Sequence, residues 1–253
     1  MSKFFTIDPK LLGPLYAMGA MFCFSLNDVS IKYLASEYPL HEVILIRSSL
    51  SVLFIVLFLF PFNGGLSAIK TNLLAIHIIR GCCVVLANMF MFMGLAALPI
   101  ADAVAIFFIS PLLITILSII FLKEHVGIWR WISIFIGLLG VLIISRPGSS
   151  AFQIAAIYPM FGALGYAFLH ILTRKIRATE SAATMAFYIQ FTFVIVACLI
   201  GLTLGDGRLD ISDDPSLSFL LRKWIIPNLW DYWIFLLIGL ATALGGLLIS
   251  QAY

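Results

Sequence analysis

Apolar residues run almost unbroken through eight windows, at about 13–35, 40–61, 73–97, 101–122, 128–146, 152–174, 183–204 and 232–253. Each is close to the roughly 20 residues that cross a hydrocarbon core at 1.5 Å per residue. Turn signals separate them: Phe62-Asn63-Gly64-Gly65, Leu98-Pro99, Arg146-Pro147-Gly148 and Gly205-Asp206-Gly207. Strands of a membrane barrel would be nearer ten residues long and would alternate in polarity, which these windows do not. The pattern predicts an all-α polytopic membrane protein with eight transmembrane helices. Lys3 and Lys10 precede the first window as in a signal peptide, but the window is too long for an h-region and lacks an A-x-A cleavage site, so it is read as span 1.

Composition agrees with the pattern and removes most alternatives. Of 253 residues, 62% are hydrophobic and 11% charged, against about 45–50% and 25% in soluble domains. Fifteen Lys and Arg against 12 Asp and Glu give a net charge of +3 without a basic block, so the chain has no electrostatic footprint for a nucleic acid. Cys23, Cys82, Cys83 and Cys198 all lie inside apolar runs without metal-ligand spacing, and are read as packing. No metal and no cofactor is expected. The chain contains no G-x-x-x-x-G-K-[ST], no H-E-x-x-H and no G-x-S-x-G, which argues against ATP-driven transport and against an intramembrane enzyme.

Positive charge in short loops sets the orientation. A cytoplasmic N-terminus puts Lys3, Lys10, Lys70, Lys123, Arg130, Arg174, Lys175 and Arg177 inside, and Lys32, Arg146, Arg208, Arg222 and Lys223 outside. Three of the outer five belong to the long 205–231 connection, which also holds Asp206, Asp210, Asp213, Asp214 and Asp231. Its tail from Trp224 to Trp233 has the aromatic and apolar residues of a segment lying in the interface.

Comparison of the chain with itself gives the architecture. A shift of 143 aligns Gly19-Ala20 with Gly162-Ala163, Leu26 with Leu169, Lys32 with Lys175, Ala35 with Ala178, Glu37 with Glu180 and Ile46 with Ile189, about seven identities in 30 positions. A shift of 158 then sets Gly81 on Gly239 and Ala87-Asn88 on Gly245-Gly246. Spans 1–3 therefore match spans 6–8. A unit of five spans is odd, so the second copy enters the membrane inverted, as in many secondary transporters. The first unit is 1–148 and the second, incomplete, is 149–253.

Residues 101–148 read as a span with Pro111 inside it, a Lys123-Glu124 exit, then Trp131 to Ile144 with Gly137 and Gly140, closed by Arg146-Pro147-Gly148. With Ala101-Asp102-Ala103 after Leu98-Pro99, and Phe24-Ser25-Leu26-Asn27-Asp28-Val29-Ser30-Ile31-Lys32 in span 1, the whole chain resembles the EamA-type transporters of the drug/metabolite transporter superfamily. The resemblance implies ten spans in two inverted five-helix EamA units, and a central cavity for small organic solutes lined by spans 1, 3, 4, 6, 8 and 9. The chain departs from that pattern by ending after span 8, which reads as truncation before spans 9 and 10.

Charges in a bilayer cost about 2.5–3.5 kcal/mol each on insertion scales, so each is a candidate. Asp28 lies roughly 10 Å deep in span 1; it either pairs with Lys32 one turn on, with Lys32 snorkelling outward, or clamps Arg47 of span 2. Asn27 is about 100° around the helix, so only one of the two faces a cavity squarely. Arg80, with His77 one turn before it, either snorkels or attracts an anionic group from the cytoplasm. Asn88 with Phe92 one turn beyond makes a polar anchor beside an aromatic wall. The repeat sets His170 at the position of Asn27 and Gln190 at that of Arg47. The expected substrate site is Asn27, Asp28, Asn88, Phe92, His170 and Gln251. Lys32, Arg47, Arg80, Asp102, Pro111 and Glu124 are expected to be structural or gating: Asp102 caps a helix start, Pro111 frees a carbonyl or permits a kink, and Glu124 stands out by the resemblance alone.

The expected function is a secondary transporter of a small organic metabolite across the bacterial inner membrane by alternating access, with the lipid bilayer and the solute as partners. A coupling proton on Asp28 and a homodimer are further partners that reading admits. The competing reading is a non-transporting subunit or receptor-like scaffold. The orientation is tested by labelling intact cells with an impermeant thiol reagent. Asp210→Cys should react and Ala178→Cys should be protected; the reverse result overturns the cytoplasmic N-terminus.

Overall fold

A computed structural model describes residues 9–59, 61, 65, 69–145, 154–176, 178–211 and 213–252. The turn at Phe62-Asn63-Gly64, the Arg146-Pro147-Gly148 turn with the boundary between the two units, and the inner charges Lys3 and Arg177 lie outside the described residues. Among those described, the elements are helical and no strand occurs.

All eight apolar windows become helices. The first gives α1 (Pro9–Leu34); the second gives α2 (Leu40–Phe54), continued by a π-helical turn over Ile55–Leu59; the third gives α3 (Leu74–Ala97). The fourth is divided into α4 (Ile100–Phe107) and α5 (Ser110–Leu122). The next three are α6 (Ile128–Ser145), α7 (Ile157–Ile176) and α8 (Ala182–Leu204). A short α9 (Pro215–Leu221) lies in the long connection, and the last window is α10 (Asp231–Ala252). Among the described residues, five segments are long and apolar enough to cross a membrane: Leu40–Phe58, Leu74–Ala97, Ile100–Leu122, Ala182–Leu204 and Asp231–Ile249. The count falls short of eight for a physical reason. α1 and α7 have 26 and 20 residues, but they carry Asn27, Asp28 and Lys32, and His170, Arg174 and Lys175, which dilute their apolar character, and the apolar stretch of α6, Ile128–Ile143, is shorter than the other spans.

Pro111 explains the division of the fourth window. Proline has no N–H to give and clashes with the preceding turn, so it is tolerated only at a helix start. The chain reads Pro111 as the first turn of α5, and α4 stops at Phe107. Asp102 is in the first turn of α4, where its charge suits the helix dipole, but the N-cap itself is Pro99 and no side chain caps it. The expected side-chain cap by Asp102 is therefore absent.

α3 packs along α7, α1 along α10, and α2 along α8; α10 also meets α2, α8 also meets α3, and α5 lies on α7. The α3–α7 approach depends on glycine. A Cβ built on Gly162 would stand 2.8 Å from the Ala87 carbonyl oxygen, and one on Gly165 2.9 Å from that of Cys83. Neither backbone oxygen can yield. The small residues let the two backbones touch, as dispersion packing in a membrane requires.

The 205–231 connection is folded over one end of the bundle. Asp214 caps α9 by accepting from the Ser216 and Leu217 amides at 2.8 and 3.2 Å. Ser216 donates to the Met93 carbonyl at 2.7 Å, and Phe219 is fully buried. Arg222 donates to Ser36 O at 2.9 Å, and the Ile225 amide to Glu42 at 3.1 Å. Ile226, Leu229 and Trp230, of the tail expected to lie in the interface, remain 84–88% exposed.

The close approach of α3 and α7 gives a first test. Gly162→Leu forces a side chain into a backbone oxygen and should cost about 1–3 kcal/mol. Thermal unfolding of the purified protein in lipid should show it, while Gly137→Leu, which has open space at its Cβ, should leave the midpoint unchanged.

Candidate functional site

Arg47 is the centre of the polar interior. It lies at 2% exposure on α2, near the middle of its segment. Its guanidinium carbon sits 5.3 Å from the Phe92 ring centroid and 4.9 Å from that of Phe193, over both ring faces. Cation–π contacts of this kind gain strength when water is excluded. Nη1 donates to Asn27 Oδ1 at 3.4 Å, and Thr242 Oγ1 donates to the same oxygen at 3.1 Å. Among the described residues, Nε and Nη2 find no hydrogen-bond partner. Five helices thus converge on one cation: α1 through Asn27, α2 through Arg47, α3 through Phe92, α8 through Phe193 and α10 through Thr242.

Span 1 resolves the choice between Asn27 and Asp28. Asn27 is buried and turned to the centre, whereas Asp28 is half-buried and accepts from Asn27 Nδ2 at 3.3 Å. The positive charge of Arg47 acts on Asp28 through space, but among the described residues no ion pair within 4.0 Å joins Asp28 to Arg47 or to Lys32. The expected Asp28–Lys32 pair does not form. Lys32 Nζ donates instead to Leu95 O at 2.6 Å and Leu98 O at 2.7 Å. A helix leaves its last carbonyls unpaired and its C-terminus negative, so a cation there gains from both.

Of the six expected substrate residues, the structure gathers Asn27, Asp28 and Phe92. Asn88 donates to Val84 O of its own helix at 3.0 Å. His170 is half-buried, its ring edge-on to Tyr166 at 4.4 Å. Gln251 is exposed on the last turn of α10.

A second cluster lies at the end of the bundle that carries residues 71–73 and 178–182. Arg80 does not snorkel: it is buried, donating through Nε to Thr173 at 3.0 Å with Nη1 3.3 Å from His77 Nδ1. His77 Nε2 lies 3.4 Å from Glu180 and its ring stacks on Tyr188 at 4.6 Å. Thr71 donates to Glu180 at 2.7 Å. Glu124, notable in the sequence only by resemblance, receives both bonds of Arg174 Nη1 at 3.0 and 3.1 Å, joining the α5–α6 turn to α7. Lys123 adopts the left-handed conformation, φ 54°, that ends α5 and turns Glu124 back. At the opposite end Tyr38 donates to Asp231 at 2.6 Å; burial, then that hydrogen bond, raises its phenol above the usual value.

Phe193, Thr242 and Glu180 escaped the sequence reading as site residues. Phe193 had a faint signal: it stands one turn beyond Gln190, the repeat counterpart of Arg47. Among the described residues no group of three or more His, Cys, Asp or Glu could hold a metal ion.

Apolar helices of membrane-crossing length around a buried cation and its polar neighbours define a polytopic helical membrane protein with a polar core. Residues 11–146 match the EamA-like transporter family, and the chain belongs to that family. It is a transporter-family protein and not an enzyme. It is 27% identical over 229 residues to the S-adenosylmethionine uptake transporter of Rickettsia bellii, covering 90% of this chain and 72% of that one. It is 25% identical over 247 residues to the riboflavin transporter of Vibrio cholerae, covering 96% and 76%. The pseudopaline exporter of Pseudomonas aeruginosa is 26% identical over 248 residues, covering 98% and 80%. The chain spans 58–72% of the length of the S-adenosylmethionine uptake transporters it matches.

The placement of Lys32 gives a test that separates a helix cap from an ion pair. Lys32→Met strands two carbonyls at a helix end and should cost about 1–3 kcal/mol, read as a lowered unfolding midpoint. Asp28→Asn should leave that midpoint in place. Equal losses from the two variants would restore the ion pair.

Proposed function

We propose that the protein is a secondary transporter that carries a small organic metabolite across the cytoplasmic membrane by alternating access, with its solute site at the Arg47 cluster between two inverted units. The observation that carries this reading is the convergence of α1, α2, α3, α8 and α10 on one buried cation with unfilled donors. Ionisable groups at membrane depth mark solute and ion pathways.

The packing supports the inverted repeat. Exchanging α1 with α7, α2 with α8 and α3 with α10 turns the α1–α10 contact into α7–α3, and the α2–α10 contact into α8–α3, while α2–α8 maps onto itself. Each of these contacts has its counterpart, as a pseudo-two-fold axis through the α2–α8 contact requires. Under that reading the units are 1–148 and 149–253, α1 and α7 are membrane spans despite their polar residues, α6 is the eighth, and the N-terminus is cytoplasmic. The relatives named for S-adenosylmethionine, riboflavin and pseudopaline support a small organic solute with polar groups. Asp28, beside the cluster and without an ion-pair partner within 4.0 Å, is the residue on which a coupling proton would reside.

The test is counterflow in liposomes loaded in turn with S-adenosylmethionine and riboflavin. Saturable exchange of at least one labelled solute is expected. Asn27→Ala removes the acceptor shared by Arg47 and Thr242, and should raise the half-saturation concentration by about 5- to 100-fold without loss of protein. If protein in the membrane exchanges neither solute, or if Asn27→Ala leaves the kinetics untouched, the site is elsewhere or the function is another.

A further inference from the structure

The buried cations of this protein differ in one respect. Lys32 is satisfied by two carbonyls, Arg80 by Thr173 and His77, and Arg174 by Glu124. Arg47, as deeply buried as Arg80, is bonded among the described residues through Nη1 alone. Its two unfilled nitrogens, Nε and Nη2, are the pair whose N–H bonds point the same way along one edge of the guanidinium. That edge is the side-on fork that matches two acceptor oxygens in a plane. Unfilled donors in a dry interior are costly, which singles out this edge as awaiting a partner.

From this geometry we infer that the free edge of Arg47 binds the carboxylate of the transported solute, a conclusion that rests on the proposed transport function and narrows its substrate class to organic acids and zwitterions. Three features select a carboxylate over a phosphate. A carboxylate lies flat in the guanidinium plane, whereas a tetrahedral group turns oxygens out of that plane toward the negative faces of Phe92 and Phe193. One guanidinium neutralises one negative charge, and Arg47 is the only cation among the residues joined to this cluster. Asp28 then repels any second negative charge. The same carboxylate of Asp28 and the buried, unfilled Oε1 of Gln190 are acceptors on α1 and α8 that suit a donor group elsewhere on the solute, such as an ammonium.

The experiment is thermal unfolding of the full chain in lipid nanodiscs with matched probes: S-adenosylmethionine against its decarboxylated form, phenylalanine against phenylalaninamide, and benzylphosphonate. An acid should raise the unfolding midpoint at concentrations at which its partner does not. Arg47→Met should keep or raise the midpoint of the free protein, because it removes unfilled donors, and should abolish the shift by acids. Arg47→Lys keeps the charge without the fork and should raise the half-effect concentration at least tenfold. If Arg47→Met does not accumulate, Arg47→Lys and the acid-against-amide comparison on the native chain decide. Equal or absent shifts for both members of every pair, a shift that survives in the variants, or a response to benzylphosphonate alone overturns the inference. Counterflow with the same solutes separates the two claims: stabilisation by acids without exchange removes the transport reading and leaves the carboxylate site, and exchange indifferent to the carboxylate does the reverse.

Discussion

Hydrocarbon offers no hydrogen bonds, so every polar group at membrane depth must find its partner inside the protein. That constraint organises this structure more than hydrophobicity does, since lipid tails are as apolar as the leucines facing them. It explains why Lys32 reaches across to the end of α3, why Ser51 donates to the Gly239 carbonyl at 2.8 Å, and why Thr115, Thr173 and Thr192 return their hydroxyls to carbonyls four residues back. Among the described residues a few buried atoms depart from that rule, Ser48 Oγ, Gln190 Oε1 and the His41 ring nitrogens with them, and two nitrogens of the Arg47 guanidinium are the charged donors of that set.

The helices were legible because their signal is local and long. Eight windows became helices, and Pro111 at the middle of the fourth marked where one would break, although its effect was a division into two helices and not a kink. Contacts between distant residues were not legible. Lys32 has a carboxylate one turn away on its own helix, and nothing in the sequence says that carbonyls 63 and 66 residues later hold it instead. Arg47 could be read as a charge in a span, but its ring contacts come from α3 and α8, and neither Phe92 nor Phe193 differs in sequence from a phenylalanine facing lipid. The repeat aligns His170 with Asn27, and the bond to Arg47 described above comes from Asn27.

The small residues carry the complementary half of the design. α3 and α7 meet backbone to backbone through Gly162 and Gly165, and Gly245 makes room on α10 for side chains of α1: a Cβ built there would stand 2.8 Å from the Phe24 ring and 3.2 Å from Cys23 Cβ. Close, flat seams of this kind fix where the helices cross while leaving side-chain bonding to the ends and the centre.

The two ends of α3 answer to different neighbours. Near Leu95 it is fastened to α1 by Lys32 and to α9 by Ser216; near His77 and Arg80 it is fastened to Thr173 of α7 and to Glu180 before α8. α3 is therefore a lever gripped at both ends, by α1 and α9 near Leu95 and by α7 and Glu180 near His77, with Phe92 and the Arg47 contact between the two grips. Any displacement of one half against the other must tilt that lever or release one of its ends. The ring resting on the cation lies along the same rod, so strain at either end reaches the centre without passing through a flexible loop.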